Sequence, residues 1–212
     1  MNAPVVAIKR GRKFDQVLAG ARDVFLRDGY EGASVDEIAR TAGVSKATLY
    51  SYFPDKGILF LEVAKTECLR QADQATAEWD TDAPPRQVLS QAAGHMLRFF
   101  LSDFGLQVYR IIVAESGRFP SLGRDFYEAV PMQVRQTMMA YFRGAIARGE
   151  LAIDDLELAA DQFTELCKAS LHGQLILGVK ATASEVEIDR VIRGAVEMFL
   201  ARYGAASGPA RV

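Results

Sequence analysis

The sequence predicts an all-α protein, and three observations carry that prediction. Apolar residues recur three and four positions apart along almost the whole chain, the spacing of one buried helical face. Period-two alternation, the mark of a half-buried strand, never lasts beyond a few residues. Three start signals, Ser34 with Glu37, Asp154 with Glu157 and Ser184 with Glu187, pair a capping side chain with an acid three positions on, each ahead of an apolar-periodic run. The spacing resolves about nine helices, with no internal repeat.

Residues 1–10 read as a loose tail. The basic cluster Lys9, Arg10, Arg12 and Lys13 is either a solvated terminus or an arm that adds phosphate or minor-groove contacts. The first helix runs from Arg12 to Asp28, with Phe14, Val17, Leu18, Ala21, Val24 and Phe25 as its apolar stripe and Gly29 as its stop. The stretch Ser34 to Lys56, SVDEIARTAGVSKATLYSYFPDK, gives two short helices around a turn. Val35, Ile38, Ala39 and Ala42 line the first of them, Gly43 suits a left-handed helix end, and Ser45 caps the second. Leu49 and Phe53, four apart, face inward, which leaves Lys46, Thr48, Tyr50, Ser51 and Tyr52 outside or flanking. This is a helix-turn-helix pattern, and a second helix carrying small and hydroxyl side chains with one cation can enter a DNA major groove without acidic repulsion. An ordinary helical hairpin in an all-α core would have the same spacing.

A fourth helix is expected from Asp55 to Glu78, followed by a polar, Pro-rich break at Trp79–Pro85. A fifth spans Pro85 to Leu101 and a sixth Phe104 to Glu115. The run Ser121 to Arg148 keeps its apolar phase across Pro131, which predicts one kinked helix rather than two. Asp154 and Glu157 open an eighth helix to Leu177, and Ser184 and Glu187 open a ninth to Tyr203, with a disordered tail from Gly204.

Half of the 212 residues are apolar and 25% are charged, which is the composition of a soluble globular chain. The net charge is −2, but residues 1–56 carry nine Lys/Arg against seven Asp/Glu, so the cationic end coincides with the helix-turn-helix. No uncharged run is long enough to span a membrane, and the N-terminus lacks the apolar core of a signal peptide, so a cytoplasmic location is expected. Cys68 and Cys167 lie in apolar helical patterns and read as small buried residues, with no metal spacing around them. No nucleophile elbow, phosphate loop or zinc-protease motif is present, and the sequence shows no catalytic arrangement around His95 or His172. Neither an enzyme, a cofactor nor a metal site is expected.

The run TAGVSKATLYSYFPDKGIL resembles the recognition-helix signature of the tetracycline-repressor (TetR) family of bacterial transcription regulators, of the AcrR-like kind. The shared features are the Gly-Val turn, the Thr-Leu-Tyr-x-Tyr-Phe run and a Lys after a Pro. Upstream, AGARDVFLRDGYEGASVDEIA is similar to that family's first helix and its lead-in, so the likeness covers about residues 12 to 62. The remainder matches only in being helical and of suitable length.

The resemblance implies a three-helix DNA-binding domain over 1–56 and a helical effector-binding and dimerisation domain over 57–212. Its DNA-binding set is Ser34, Ser45, Lys46, Ala47, Thr48, Tyr50, Ser51, Tyr52 and Lys56. Positions matching Lys46, Ala47, Thr48 and Tyr50 face base edges or nearby phosphates in that family, while Ser34, Tyr52 and Lys56 match positions that hold the DNA backbone. The chemistry agrees: Lys46 can donate to guanine O6/N7 or a phosphate, Ala47 and the Thr48 methyl can meet a thymine methyl, and the Thr48 and Tyr50 hydroxyls can donate to phosphate. Lys56 at a helix start makes a suitable phosphate seat. The eighth and ninth helices, about 155–177 and 185–203, are expected to form a homodimer that reads a pseudo-palindromic operator in double-stranded DNA. The aromatic and Met-rich middle suits a small hydrophobic effector that releases the DNA, with His95, Phe99, Tyr109, Glu115, Tyr127, Met138, Phe142 and His172, and also Gln107 and Arg110, as candidate contacts. Ordinary core packing explains any one of these equally well. The rival readings are an all-α regulator that works without a small ligand, through a protein partner or as an activator, and an all-α enzyme or carrier.

Overall fold

The structure is a computed structural model of the chain and describes residues 11–77 and 79–205. The described residues form α1 (Arg12–Gly32), α2 (Val35–Thr41), α3 (Lys46–Tyr52), α4 (Lys56–Ala77), α5 (Pro85–Leu101), α6 (Asp103–Ser116), α7 (Pro120–Ala129), α8 (Pro131–Ala147), α9 (Leu156–Lys168), α10 (Leu171–Ile176) and α11 (Glu185–Tyr203). Among them the only extended pairing is an isolated antiparallel bridge between Leu151 and Gly204. Among the described residues no helix is long and apolar enough to cross a membrane. The tail expected before Arg12 falls almost wholly outside the described residues, as does the C-terminal tail beyond Ala205. Gly204 and Ala205 themselves are held: Ala205 N–H donates to the Glu150 carbonyl at 3.0 Å.

The chain packs as two compact units. Of the described residues, one comprises those up to Arg70 together with Gln107–Val130, and the other those of Gln71–Leu106 and from Pro131 on. In the first unit α1 lies across α2, and its stripe of Phe14, Val17, Ala21, Val24 and Phe25 meets Ile38, Ala39, Leu49, Phe53 and Phe60 in a core exposed by no more than a few per cent. Aromatic rings lock the corners. Phe14 stacks on Phe53 at 5.3 Å, and Phe25 and Tyr30 both meet Phe60 at 5.1 Å.

In the second unit α5, α8, α9 and α11 surround a core of Val88, Leu89, Met138, Phe142, Phe163, Val196 and Phe199. Phe199 is its centre: Phe142 stacks on it and Phe163 meets it edge-on, each at 5.2 Å. Alanines 92, 159, 160 and 195 let the helices approach closely. Trp79, in the expected break after α4, packs against this core with its ring 6.4 Å from that of Tyr141.

Gly29, the expected stop of the first helix, does leave helical geometry at φ 69°, but α1 carries on past it to Gly32. Three further element boundaries differ from expectation. Pro131 separates two helices instead of kinking one: Val130 sits at φ −107° as the cap of α7, and α8 starts on Pro131 itself, where a missing N–H costs nothing. The helix expected from Asp154 to Leu177 is capped one residue later and starts at Leu156, since it is Asp155 that accepts the Leu158 N–H at 2.9 Å. That same helix is interrupted at Ser170, whose φ of 68° and ψ of −64° close a γ-turn in which Leu171 N–H donates to the Ala169 carbonyl at 2.8 Å. The Ser184–Glu187 capping box forms in full.

Candidate nucleic-acid interface

The helix-turn-helix is built from local signals. Ser34 caps α2 by accepting the Glu37 N–H at 3.1 Å, and Ser45 caps α3 by accepting the Thr48 N–H at 3.1 Å. Between them the turn is a Schellman motif: Val44 N–H donates to the Ala39 carbonyl at 3.0 Å and Gly43 N–H to the Arg40 carbonyl at 3.1 Å. Gly43 has φ 63°, which a side chain would strain. The reciprocal half of the expected Ser34–Glu37 box is absent from the bonds around Glu37. Its carboxylate instead takes the Arg40 guanidinium at 2.6 Å and Arg27 at 3.3 Å. Arg40, and then Arg27, hold that carboxyl below its ordinary range.

Leu49 and Phe53 are fully buried, and they fix the roll of α3. As a result Lys46, Ala47, Tyr50 and Ser51 form one exposed face. Tyr50 is 48% exposed, unusual for so large a ring. Thr48 is half-buried, and its hydroxyl lies 2.9 Å from that of Ser45. Ser51 donates to the Thr48 carbonyl at 2.6 Å, so the hydroxyls of this face are already oriented. Tyr52 is set against Phe14, edge to face at 5.8 Å.

The two lysines are each engaged. Lys46, the single charge of α3, forms an ion pair with Asp36 in the first turn of α2. Lys56 donates to the carbonyls of Tyr30 at 2.8 Å and Ala33 at 3.1 Å, and its ammonium lies 4.3 Å from the centre of the Tyr30 ring. It therefore ties the start of α4 to the segment leading into α2. Sequence reading gave Lys56 a phosphate role and had no means of finding these long-range carbonyl partners.

Behind this face, Glu67 is 2% exposed on α4 and is held by Arg22 of α1 at 3.3 Å and by Arg70 at 3.0 Å. Asp55 caps the first turn of α4 through the Ile58 N–H at 2.8 Å and meets Arg118 at 3.5 Å. Burial, and after it the charge of Asp55, pushes the Tyr30 hydroxyl above its ordinary range.

The residues expected to contact an effector are dispersed. Tyr109, Glu115 and Tyr127 belong to the first unit; Tyr109 and Tyr127 are exposed by 43% and 49%. His95, Phe99, Met138, Phe142 and His172 belong to the second. There Met138 and Phe142 are wholly inside the core, and His95 is on the surface. His172 is buried beside Phe100 at 6.0 Å, and desolvation lowers its pKa. A groove of about 230 Å³ in the second unit is lined by Arg98, Leu101, Asp103, Leu175 and Ile188 among others, and none of the expected effector residues lines it.

Comparisons with known proteins agree with this architecture. Residues 17–63 match the family model described as bacterial regulatory proteins, tetR family, and residues 87–205 match that of an AefR-like transcriptional repressor C-terminal domain. A TetR-family regulator from Mesorhizobium loti is 29% identical, with a TM-score of 0.76 over 91% of this chain and 97% of its own. The flavonoid-responsive regulator FrrA is 33% identical, with a TM-score of 0.65 over 93% of this chain and all of its own. The transcriptional repressor AcnR of Corynebacterium diphtheriae is 40% identical over 58 residues, which span 27% of this chain and only 30% of AcnR. A capped helix-turn-helix whose second helix has an exposed face, followed by a helical C-terminal part that matches its own family model, places the chain: it belongs to the TetR family of DNA-binding transcriptional regulators.

Proposed function

We propose that this protein is a repressor that binds a pseudo-palindromic operator as a homodimer and leaves it when a small, flat, hydrophobic effector binds. The observation that carries the DNA reading is the exposed face of α3, Lys46, Ala47, Tyr50 and Ser51, on a helix whose roll is fixed by Leu49 and Phe53. Lys46, Ala47, Thr48 and Tyr50 contact base edges or adjacent phosphates; Ser34, Ser45, Ser51, Tyr52 and Lys56 hold the DNA backbone or the geometry that presents it.

Dimerisation through the segments 155–177 and 185–203 is supported by large apolar side chains left exposed there and in the intervening turn. Leu158, Leu177, Val179, Val186 and Met198 are each exposed by half or more. One helix-turn-helix reads too few base pairs for specificity, and a two-fold dimer reads two half-sites. An effector of flavonoid type is supported by the name of FrrA and by the aromatic and methionine content of α5 to α8. Its binding favours a conformer in which the two reading heads no longer match one helical turn of DNA.

The test is direct. Lys46→Ala and Tyr50→Ala each weaken binding to the operator while the helical signal by circular dichroism stays intact; wild-type affinity in both variants contradicts the assignment. Sizing at micromolar concentration returns a dimer, and a thermal-shift series with flavone-type compounds returns at least one stabiliser that also lowers DNA affinity.

A further inference from the structure

Five cations of the helix-turn-helix and the helices that pack on it are engaged within the protein. Arg27 and Arg40 share Glu37, Arg22 is on Glu67, and Lys56 is on two carbonyls. Lys46 is held by Asp36, and this pair differs from the others in place: both partners are on the outer surface, 56% and 69% exposed, with Lys46 at the first residue of α3. Asp36 sits in the first turn of α2, where the helix dipole favours an anion. In a helix-turn-helix the first helix crosses the DNA backbone while the second lies in the groove. An acid at the start of α2 therefore faces phosphates, an arrangement that weakens binding to any duplex unless something offsets it.

We propose that Asp36 is a specificity-determining residue: it holds the Lys46 ammonium away from the phosphates of unmatched DNA and yields it only where base acceptors in the major groove take it. The inference rests on the DNA reading above. An exposed ion pair is weak enough to exchange. A phosphate that takes Lys46 leaves the Asp36 carboxylate unpaired in the phosphate field, so on unmatched DNA the exchange gains little. On a matched site, guanine O6 and N7 offer two acceptors at one point of the groove, and the exchange is favourable. Asp36 thus selects against wrong DNA by repulsion while Lys46 selects for the right DNA by contact, the two halves of a specificity device.

The experiment measures the full chain and its variants on two duplexes across a salt series: one selected by the wild-type chain from a random library, and a scramble of the same composition. Asp36→Asn tightens binding to the scramble about tenfold and steepens its salt slope by about 0.9, the value of one additional phosphate contact. The ratio of matched to scrambled affinity falls accordingly. The gain disappears in the Asp36→Asn, Lys46→Ala double variant, and Asp36→Glu, which keeps the pair, discriminates as the wild type does. An equal gain on both duplexes, a gain that survives removal of Lys46, or no change overturns the proposal and leaves the DNA reading intact. A wild-type chain that cannot tell the two duplexes apart overturns the DNA reading itself.

Discussion

A Cβ placed on Gly20 of α1 would stand 2.6 Å from the backbone nitrogen of Ala42, so the first helix meets the turn of the helix-turn-helix backbone to backbone. No real side chain tolerates that distance. Gly20→Ala must push α1 off the turn and loosen the packing that sets the roll of α3. The expected loss is about 1–3 kcal/mol of stability, the usual cost of overpacking, with weaker DNA binding at temperatures where the chain is still folded. Urea denaturation of the full chain checks the first part and a duplex titration the second.

Lys56 joins two segments that are otherwise separate in sequence. Replacing it with Met keeps the length of the side chain and removes the donor to the Tyr30 and Ala33 carbonyls and the cation over the Tyr30 ring. The two carbonyls remain partly buried, and the expected cost is about 1–2 kcal/mol. The same denaturation series reads it. A variant as stable as the wild type would mean that the clamp contributes nothing and that the ammonium is available to a phosphate.

Ser170 is the one non-glycine residue with positive φ among the described residues. The γ-turn it makes is a strained conformation costing about 1–3 kcal/mol. Glycine relieves the strain and gives back about 0.5–1 kcal/mol through its freer unfolded chain. Ser170→Gly is therefore stabilising by about 1 kcal/mol, a rise of about 2–4 °C in melting temperature for a chain of this size. Calorimetry of the two proteins at equal concentration measures it.

Glu187 titrates in a way that stability should reveal. The Lys180 ammonium, with the Ser184 backbone and hydroxyl, holds its carboxyl at about 2, well below its ordinary 4.5. A carboxylate with a depressed folded pKa stabilises the protein fully above its unfolded pKa and loses that contribution as pH falls toward the folded one. The window is therefore pH 4.5 down to about 2. Glu187→Gln is expected to be less stable than the wild type at neutral pH and to show a flatter fall in denaturation midpoint across that window. Parallel curves for the two proteins would contradict the role given to this side chain.

Whether a feature was legible in the sequence depended on how far apart its partners stand. The turn at Gly43 and the box at Ser184 and Glu187 close within a few residues, so residue type and spacing suffice for both. Apolar phase, by contrast, does not register an interruption that preserves it. The stripe runs on across Pro131 and across Ser170, yet backbone restrictions at the first and a γ-turn at the second end a helix there. Adjacent aspartates at 154 and 155 compete for one cap, and only the backbone decides between them. The least legible features are the long-range ones: Asp36 on Lys46, Lys56 on Tyr30 and Ala33, and Arg27 on Glu37. Aromatic and methionine content does not by itself separate core from surface: Met138 and Phe142 are buried in a core centred on Phe199, while Tyr109 and Tyr127 are exposed.

The most direct test of the account is a binding selection: the full chain, a random duplex library, and the enriched site measured across a salt series. The account predicts a two-fold-symmetric enriched sequence, bound tightly by a dimer, with affinity that falls steeply as salt rises. A selection that enriches no sequence, with weak binding equal on every duplex, would contradict the claim that the exposed face of α3 reads DNA.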